Sequence, residues 1–321
     1  MHRKIRTKSF RRTQILGLLA WLALAVCGLP ASAGPRADHV FIISIDGGKP
    51  AVIAESKMPV LKKLAAEGAC TWSASTIYPS ITLPAHTSML TGVGPETHNI
   101  LWNEYLPEKG IVQVPTVFSL AKQAGFSTAM FVGKEKFRHL ILPGSVDEFS
   151  YDQSASGKIE KSMANSSGKS DKLTEQTVLA RIVAADAAAY IKEKKPNLCF
   201  IHFTDTDDAG HKYGWGSPEQ MKAFADVDAA LGVVVDAIHQ AGIADDTVII
   251  ISADHGGHKK THGTNTPDDM IIPWVIWGKG VKKDFKIAVP VNICDTAATT
   301  LWLFGLSCPD CLGKPVTSAF E

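Results

Sequence analysis

Five short runs of the 321-residue chain are almost continuously apolar: residues 39–46, 127–133, 198–204, 247–253 and 273–278. Strands that face water on one side alternate apolar and polar residues, whereas strands covered on both faces do not. We therefore predict that these runs form buried strands of a mostly parallel sheet.

Segments with helical periodicity lie between and after these runs, at residues 58–68, 116–125, 175–194, 217–242 and 294–305. Thr116 and Ser217 are suited to cap two of these helices, Gly125 to end the helix that Thr116 caps, and Gly68 to end the helix at 58–68. Alternating strands and helices predict an α/β sandwich with helices on both faces of the sheet. The Ser-, Gly- and Asp-rich stretch 142–171 lacks a period and is predicted to be a loop or lid, with room for a short hairpin.

The N-terminus has the pattern of a secretory signal peptide. Residues 1–14 are basic, a short apolar run follows, and "PASAG" offers a cleavage site after Ala33. The apolar run is short for a membrane span, so an uncleaved anchor is the weaker alternative. We predict a signal peptide at 1–33 and a single periplasmic or secreted domain at 34–321, with no stable membrane span in the mature form. Whether the general secretory or the twin-arginine route exports it stays open.

Removing residues 1–33 takes away six basic residues and no acidic ones, so the formal charge changes from +1 to −5. A mildly acidic protein is not a general binder of nucleic-acid polymers. Any phosphate group that it handles must therefore meet a local site.

Five cysteines remain after this removal, an odd number. Cys199 lies in an apolar run and is predicted to be a core residue. Cys308 and Cys311 are suited to a short structural disulfide in an oxidising compartment. A zinc ribbon would need a second pair with similar spacing, and the sequence has none.

Acidic and histidine residues follow three of the predicted strands: Asp46; Asp205, Asp207, Asp208 and His211; Asp254 and His255. Ligands of open parallel sheets bind beyond the carboxyl ends of the strands, so these side chains are predicted to share one edge. Oxygen and imidazole ligands suit zinc, with manganese or iron as alternatives. These residues offer more ligands than one zinc ion needs. Two ions could bind the attacking and leaving oxygens of a phosphoryl group.

Thr82 precedes Leu83-Pro84, where a helix is predicted to begin. A hydroxyl at a helix N-terminus lies in a positive field that favours an alkoxide and binds phosphate, which makes Thr82 a candidate nucleophile. The alternative from the local sequence is that Thr82 only caps the helix.

Several segments together resemble the nucleotide pyrophosphatases/phosphodiesterases of the alkaline phosphatase superfamily. "PSITLPAH" is similar to their nucleophile segment, "THNILWNEY" to their asparagine segment, and "DDAGHKYG" and "SADHGG" to their metal-binding segments. The closing "CDTAATTLWLFGL" and "GKPV" are also similar to the superfamily pattern. The segments follow the family's order along the chain. The resemblance implies an alkaline phosphatase-like fold and a two-zinc phosphohydrolase.

The resemblance also implies roles for individual residues. Thr82 would be the nucleophile, would bridge two Zn²⁺ ions and would carry the phosphoryl group as phospho-threonine. Asn103, with a backbone N–H of residue 82 or 83, would bind a phosphate oxygen. The implied metal ligands are Asp46, Asp254 and His255 for one ion, and Asp207, His211 and a later histidine for the other. His262 is favoured over His258 as that histidine because Gly263 follows it.

Other polar residues near these segments are expected to support the site or to pack. His86 and His98 match family positions and are interpreted in this way, as are Asp205 and Asp208. His202 lies inside an apolar run and is predicted to be a core histidine with its hydrogen bonds satisfied.

The substrate is less determined by the sequence. The sulfatase pattern of Cys or Ser, then x-Pro-x-Arg, is absent, which disfavours a formylglycine sulfatase. "VGKEKFRHL" resembles a segment of phosphonoacetate hydrolases, which implies that Lys134 and Lys136 hold a second anionic group. The alternative is that both lysines lie at the solvent-exposed start of a helix and bind no substrate. Four aromatic residues flank the motifs, where they could stack on a base or pack: Trp102, Tyr105, Tyr213 and Trp215.

We predict hydrolysis of a small-molecule phosphodiester or pyrophosphate. Three alternatives stay open: a phosphomonoesterase or phosphonate hydrolase, a phosphoryl transferase, and a non-catalytic metal-binding protein. The sequence does not determine the oligomeric state.

Overall fold

The structure is a computed structural model that describes residues 36–151, 179–308 and 310–321. The predicted signal peptide and residues 152–171 of the predicted loop lie outside the described residues. Within the described ranges, no helix has both the length and the apolar character that a membrane crossing requires.

Eight strands form one mixed sheet in the order β4-β3-β5-β1-β6-β7-β2-β8. Their bounds are β1 His39–Ile45, β2 Ala69–Ser75, β3 Thr128–Val132, β4 Glu148–Ser150, β5 Leu198–Phe203, β6 Thr247–Ser252, β7 Ile271–Gly278 and β8 Phe285–Lys286. The strands β4, β3, β5, β1 and β6 run parallel to one another, whereas β7 is antiparallel to both β6 and β2.

All five predicted strands are confirmed, as β1, β3, β5, β6 and β7. Three strands were not predicted. In β2, "ACTWSAS", polar residues interrupt the apolar ones and a register irregularity lies between Thr71 and Ala74. The strands β4 and β8 have only three and two residues, too few to show a pattern. Strand β4 lies in the predicted 142–171 loop and pairs in parallel with β3 instead of forming a hairpin.

The described helices are α1 Pro50–Glu55, α2 Pro59–Glu67, α3 Thr82–Thr91, α4 Pro95–His98, α5 Val117–Gln123, α6 Leu179–Lys194, α7 Asp205–Tyr213, α8 Pro218–Gln240, α9 Pro267–Met270 and α10 Asp295–Leu303. Short 3₁₀ helices lie at Pro107–Lys109, Glu135–Leu140, Ala244–Asp246 and Thr317–Ala319. The five predicted helices correspond to α2, α5, α6, α8 and α10. Both predicted caps are confirmed, because Thr116 accepts from Ser119 N and Ser217 accepts from Gln220 N.

Two hydrophobic cores cover the two faces of the sheet, as the continuous apolar runs predict. On β1, Val40 and Ile42 belong to one core, while Phe41 and Ile43 belong to the other. The first core includes residues of α3, α5 and α10, and the second includes residues of α2, α6 and α8. The sheet is therefore the middle layer of an α/β sandwich, as predicted.

The central position of β1 determines where the candidate site forms. Ser44 lies opposite His202 of β5 and opposite Ser252 of β6, so the three strands end at the same level. Their following residues consequently meet at one edge of the sheet.

The cysteine predictions are also confirmed. Cys308 and Cys311 form a disulfide beside the end of α3, where both sulfurs approach the carbonyl of Thr91. Cys199 is a buried free cysteine, and burial raises the pKa of its thiol.

Candidate metal centre and active site

The predicted metal ligands gather at the carboxyl edge of the sheet. Asp46 follows β1, and Asp254 and His255 begin the loop after β6, which we call the β6–α9 loop (residues 253–266). Asp207 lies in the first turn of α7, and His211 lies one helical turn later on the same face. Asp46, Asp254 and His255 are fully buried and Asp207 is 3% exposed.

One group of donor atoms comprises Asp207, His211 and His262. Asp207 Oδ1 lies 3.4 Å from His211 Nε2 and 3.6 Å from His262 Nε2. The two imidazole nitrogens are 3.1 Å apart. Three potential ligand atoms from α7 and the β6–α9 loop therefore meet around one point.

A second group lies beside the first. His255 Nε2 is 3.4 Å from Asp46 Oδ1 and 3.2 Å from Asp254 Oδ2. The rings of His255 and His262 stack with their centroids 3.6 Å apart, so the two groups are adjacent. Asp207 is close to both groups, since it also clusters with Asp46 and His255.

The donor spacing suits metal ions. Ligands about 2.0–2.1 Å from a tetrahedral zinc lie about 3.3 Å from one another, and the separations above are 3.1–3.6 Å. Four buried atoms that face these groups have no hydrogen-bond partner among the described residues: Asp46 Oδ1, Asp207 Oδ1, Asp254 Oδ2 and His255 Nε2. Buried polar atoms without a partner are costly, and a pair of ions would satisfy all four.

The histidine rings are also oriented for metal binding. Each Nδ1 contacts a backbone carbonyl: that of Lys260 for His211, Gly256 for His255 and Ser80 for His262. A carbonyl can only accept, so each Nδ1 carries a proton and Nε2 is the ring nitrogen left to bind a metal ion. Backbone contacts of this kind hold metal-binding histidines in position. The residues present therefore fit a pair of ions.

The buried carboxylates of this cluster have too little positive charge around them, as the pKa values of Asp254 and His255 show. Burial and the Asp46 carboxylate raise the pKa of Asp254 to about 8. Burial lowers the pKa of His255, but the carboxylates of Asp254 and Asp46 outweigh it and raise that pKa to about 9. The cluster therefore retains protons near neutral pH, and a divalent cation would displace them.

Thr82 is the first residue of α3 and is 1% exposed. The alternative that Thr82 only caps the helix is wrong, because Ile81 occupies the cap position. His86 Nδ1 donates to the Thr82 carbonyl at 2.8 Å, and the same nitrogen lies 3.5 Å from Asp254 Oδ2. Because His262 also contacts Ser80, the Thr82 segment is fastened between the two ligand groups.

Asn103 lies at the helix start where the resemblance implies. Its Oδ1 accepts from Leu83 N at 2.9 Å and from Lys136 Nζ at 3.1 Å. Burial and the neighbouring Lys134 ammonium lower the pKa of Lys136 to about 8.

Lys134 and Lys136 have different surroundings, although the sequence motif treats them alike. Lys134 Nζ is 2.6 Å from Asp46 Oδ2 and 2.6 Å from Asp207 Oδ2, so it connects the two ligand groups. Both lysines line a cavity of about 760 Å³ with Asn103, Tyr105 and Asp208 among its other walls. His211, one of the candidate metal ligands, also lines this cavity.

The four flanking aromatic residues have different surroundings. Tyr105 lines the cavity, whereas the ring of Trp102 packs edge-on against His139. Tyr213 is 39% exposed. Trp215 packs against the metal-binding segments, with ring contacts to His211 and His262.

The prediction for His202 is wrong in part. It is fully buried, but its Nδ1 has no partner and its Nε2 lies 2.9 Å from Asp46 Oδ2. The sequence shows this contact only once β5 is aligned with β1, which places His202 beside Ser44 and close to Asp46.

The other polar residues support neighbouring backbone. His98 contacts Ser88 and accepts from Ile100 N, and Asp205 accepts from Ala180 N at the start of α6. Asp269 was not predicted. It is fully buried and contacts both His258 and Thr264, and thus anchors the β6–α9 loop.

Comparisons with known proteins identify a family that matches this chain. The family described as type I phosphodiesterase/nucleotide pyrophosphatase matches residues 40–269. Human ectonucleotide pyrophosphatase/phosphodiesterase family member 1 is 25% identical over 236 residues, which cover 70% of this chain and 24% of that protein. Mouse family member 7 is 24% identical over 247 residues, covering 74% of this chain and 53% of that protein. The chain thus spans about a quarter to a half of the length of these relatives.

Solved structures share the fold. An inactive variant of murine ectonucleotide pyrophosphatase/phosphodiesterase 5 in complex with AMP superposes with a TM-score of 0.70 at 14% identity, covering 88% of this chain and all of that one. A phosphonate monoester hydrolase from Silicibacter pomeroyi gives a TM-score of 0.64 at 15% identity, covering 87% of this chain and 75% of that one. The alkaline phosphatase-like fold is therefore established. Because the family match covers most of the chain, from β1 through the candidate metal-binding segments, this protein belongs to the type I phosphodiesterase/nucleotide pyrophosphatase family.

Proposed function

We propose that this protein is a secreted or periplasmic hydrolase that cleaves phosphodiester or pyrophosphate bonds of small molecules with Thr82 as the nucleophile. The observation that carries the proposal is the pair of adjacent donor groups, whose residues contact the Thr82 segment: His262 contacts the Ser80 carbonyl, and His86 links the Thr82 carbonyl to Asp254. The predicted signal peptide and the Cys308–Cys311 disulfide support an oxidising compartment outside the cytoplasm.

Two Zn²⁺ ions are the proposed cofactors, with manganese or iron as alternatives. Asp46, Asp254 and His255 would hold one ion. Asp207, His211 and His262 would hold the other. Such ions would stabilise the negative charge of the attacking and leaving oxygens.

The reaction on the chain's own residues is a double displacement. Thr82 Oγ forms a bond to phosphorus while the bond to the leaving alcohol breaks, and that alcohol takes up the hydroxyl proton. Water then attacks phospho-Thr82, which restores the threonine and releases a phosphomonoester. The N-terminus of α3 favours the negative phosphoryl group at this position.

Asn103 and Lys136 would orient the substrate. Asn103 Oδ1 is already engaged by Leu83 N and Lys136 Nζ, which fixes the side chain at the mouth of the cavity. Its amide NH₂ can then donate to a non-bridging phosphate oxygen. The 760 Å³ cavity has room for the rest of a small ester, including one of nucleotide size.

The names of the matched proteins favour nucleotide substrates. The relatives are nucleotide pyrophosphatases/phosphodiesterases, and one neighbour was solved with AMP as an inactive threonine-to-alanine variant. We propose the same substrate class here.

The test compares bis-p-nitrophenyl phosphate with p-nitrophenyl phosphate, using zinc-loaded wild-type protein and three variants. We expect faster turnover of the diester. Thr82→Ala should lose at least about 10³-fold in kcat, because the covalent route closes, and Thr82→Ser should retain measurable turnover. Thr91→Ala, the same substitution at the other end of α3, should keep wild-type activity.

A second candidate, a phosphomonoesterase or phosphonate hydrolase, is favoured by the two lysines that line the cavity. Faster turnover of the monoester, with loss of that preference in Lys136→Met, would support it. Transfer of phosphate to an added alcohol would indicate a phosphoryl transferase. If Thr82→Ala matched the wild type on every ester, the nucleophile assignment would be wrong.

A further inference from the structure

Trp215 lies where three metal-binding segments converge. Its indole Nε1 donates to the carbonyl of Gly47 at 3.1 Å, directly after Asp46. Its backbone N–H donates to Lys259 O at 2.7 Å in the β6–α9 loop. The residue thereby connects the end of β1, the end of α7 and the β6–α9 loop.

Three glycines make room for the indole, one from each segment. A Cβ on Gly257 would come within 2.1 Å of the ring, one on Gly210 within 2.9 Å and one on Gly47 within 3.2 Å. Contacts below 3.0 Å are not tolerated without movement, so the first two positions accept only glycine while the indole stays in place. Gly47, Gly210 and Gly257 lie one or two residues from Asp46, His211 and His255, respectively.

The ring also contacts two of the candidate ligands. Its centroid is 5.4 Å from that of His211, in a T-shaped arrangement, and 5.9 Å from that of His262. His211 is bound to the β6–α9 loop through the carbonyl of Lys260, next to the Lys259 carbonyl that Trp215 uses. The indole therefore limits how far the two imidazoles can rotate or separate.

We propose that Trp215 is a positioning residue that sets the separation of His211 and His262, and with it the affinity of that donor group for metal. This inference rests on the proposed two-ion site. It assigns the aromatic residue of this segment to organising the metal ligands and not to stacking on the substrate.

The test measures metal affinity by chelator competition and the visible spectrum of the cobalt-loaded protein. Trp215→Leu removes both the ring face and the N–H, and Trp215→Phe keeps a ring without the N–H. Loss of a group that orients metal ligands costs about 10- to 100-fold in affinity, so we expect at least a tenfold loss for one metal equivalent in Trp215→Leu. We expect a smaller loss in Trp215→Phe and an altered cobalt spectrum in both variants.

Trp274→Phe is the matched control. Trp274 is fully buried, and its Nε1 donates to Thr296 in the core on one face of the sheet. It should lower the melting temperature without changing metal affinity. If Trp215→Leu and Trp215→Phe also lower the melting temperature without changing metal affinity, as Trp274→Phe should, Trp215 is only structural and the inference is overturned. If the wild-type protein itself binds no metal, the proposed function fails, and the inference fails with it.

Discussion

Lys134 gives the candidate site a positive charge of its own. Its ammonium contacts the Oδ2 atoms of Asp46 and Asp207, while the Oδ1 atoms of both carboxylates face the histidines without a partner. Each carboxylate thus has one oxygen paired with Lys134 and the other oxygen directed at the candidate metal donors. A divalent ion on the donor side would be repelled by the ammonium.

We therefore expect Lys134→Met to affect the two states of the protein in opposite directions. Without metal, two buried carboxylates lose their ammonium partner, and only Asp46 keeps another hydrogen bond among the described residues, with His202, so the free energy of unfolding should fall by about 3 kcal/mol. With metal, a repulsive charge is gone, so zinc affinity should rise by about tenfold or more. Urea unfolding in chelator and chelator competition for zinc measure the two effects.

Lys279→Met provides the control for Lys134→Met, because Lys279 pairs with the exposed Asp246, which precedes β6 at the end of the strand opposite to the donor atoms. It should change neither quantity by a comparable amount. Weaker zinc binding in Lys134→Met would show that Lys134 mainly orients the carboxylates.

At the scale of elements, the β6–α9 loop explains why two of its histidines differ. His262 lies among the donor atoms, with its Nδ1 on the Ser80 carbonyl. His258 instead contacts Asp269, whose other oxygen accepts from the backbone and hydroxyl of Thr264. His258 therefore fastens the loop and His262 faces the site.

This difference predicts distinct results for two alanine variants. His262→Ala should weaken one metal equivalent by more than about 100-fold, because it removes a ligand and not merely a supporting contact. His258→Ala should keep two equivalents and lose about 1 kcal/mol of stability with its hydrogen bond. Metal content after dialysis and thermal unfolding distinguish them, and a loss of metal only in His258→Ala would reverse the assignment.

The elements that position the site could largely be predicted from the sequence. The strands β1, β5 and β6 are visible because their residues are buried on both faces, and Asp46, Asp207 and Asp254 follow one, four and two residues after their ends. His202 and Trp215 could not be assigned in this way. Their contacts depend on strand register and on the convergence of three distant segments, which no local pattern records.

For the whole molecule, the sheet topology places the site at the centre of the fold. The strand β1 lies between β5 and β6, and all three are fully buried apart from the first residue of β1. The two cores on either side hold these strands, so any energy gained at their ends stabilises the entire domain. Metal binding should consequently be visible as global stability.

Removal of metal should therefore lower the melting temperature. An ion present at a thousandfold its Kd contributes about 4 kcal/mol, which corresponds to a shift on the order of 10 °C for a domain of this size. Differential scanning calorimetry with zinc and with excess chelator measures the shift. Asp254→Asn, which weakens one donor group, should reduce the difference, whereas Lys279→Met should not. Equal melting temperatures of the wild-type protein in zinc and in chelator would mean that the buried donor atoms are not occupied by metal.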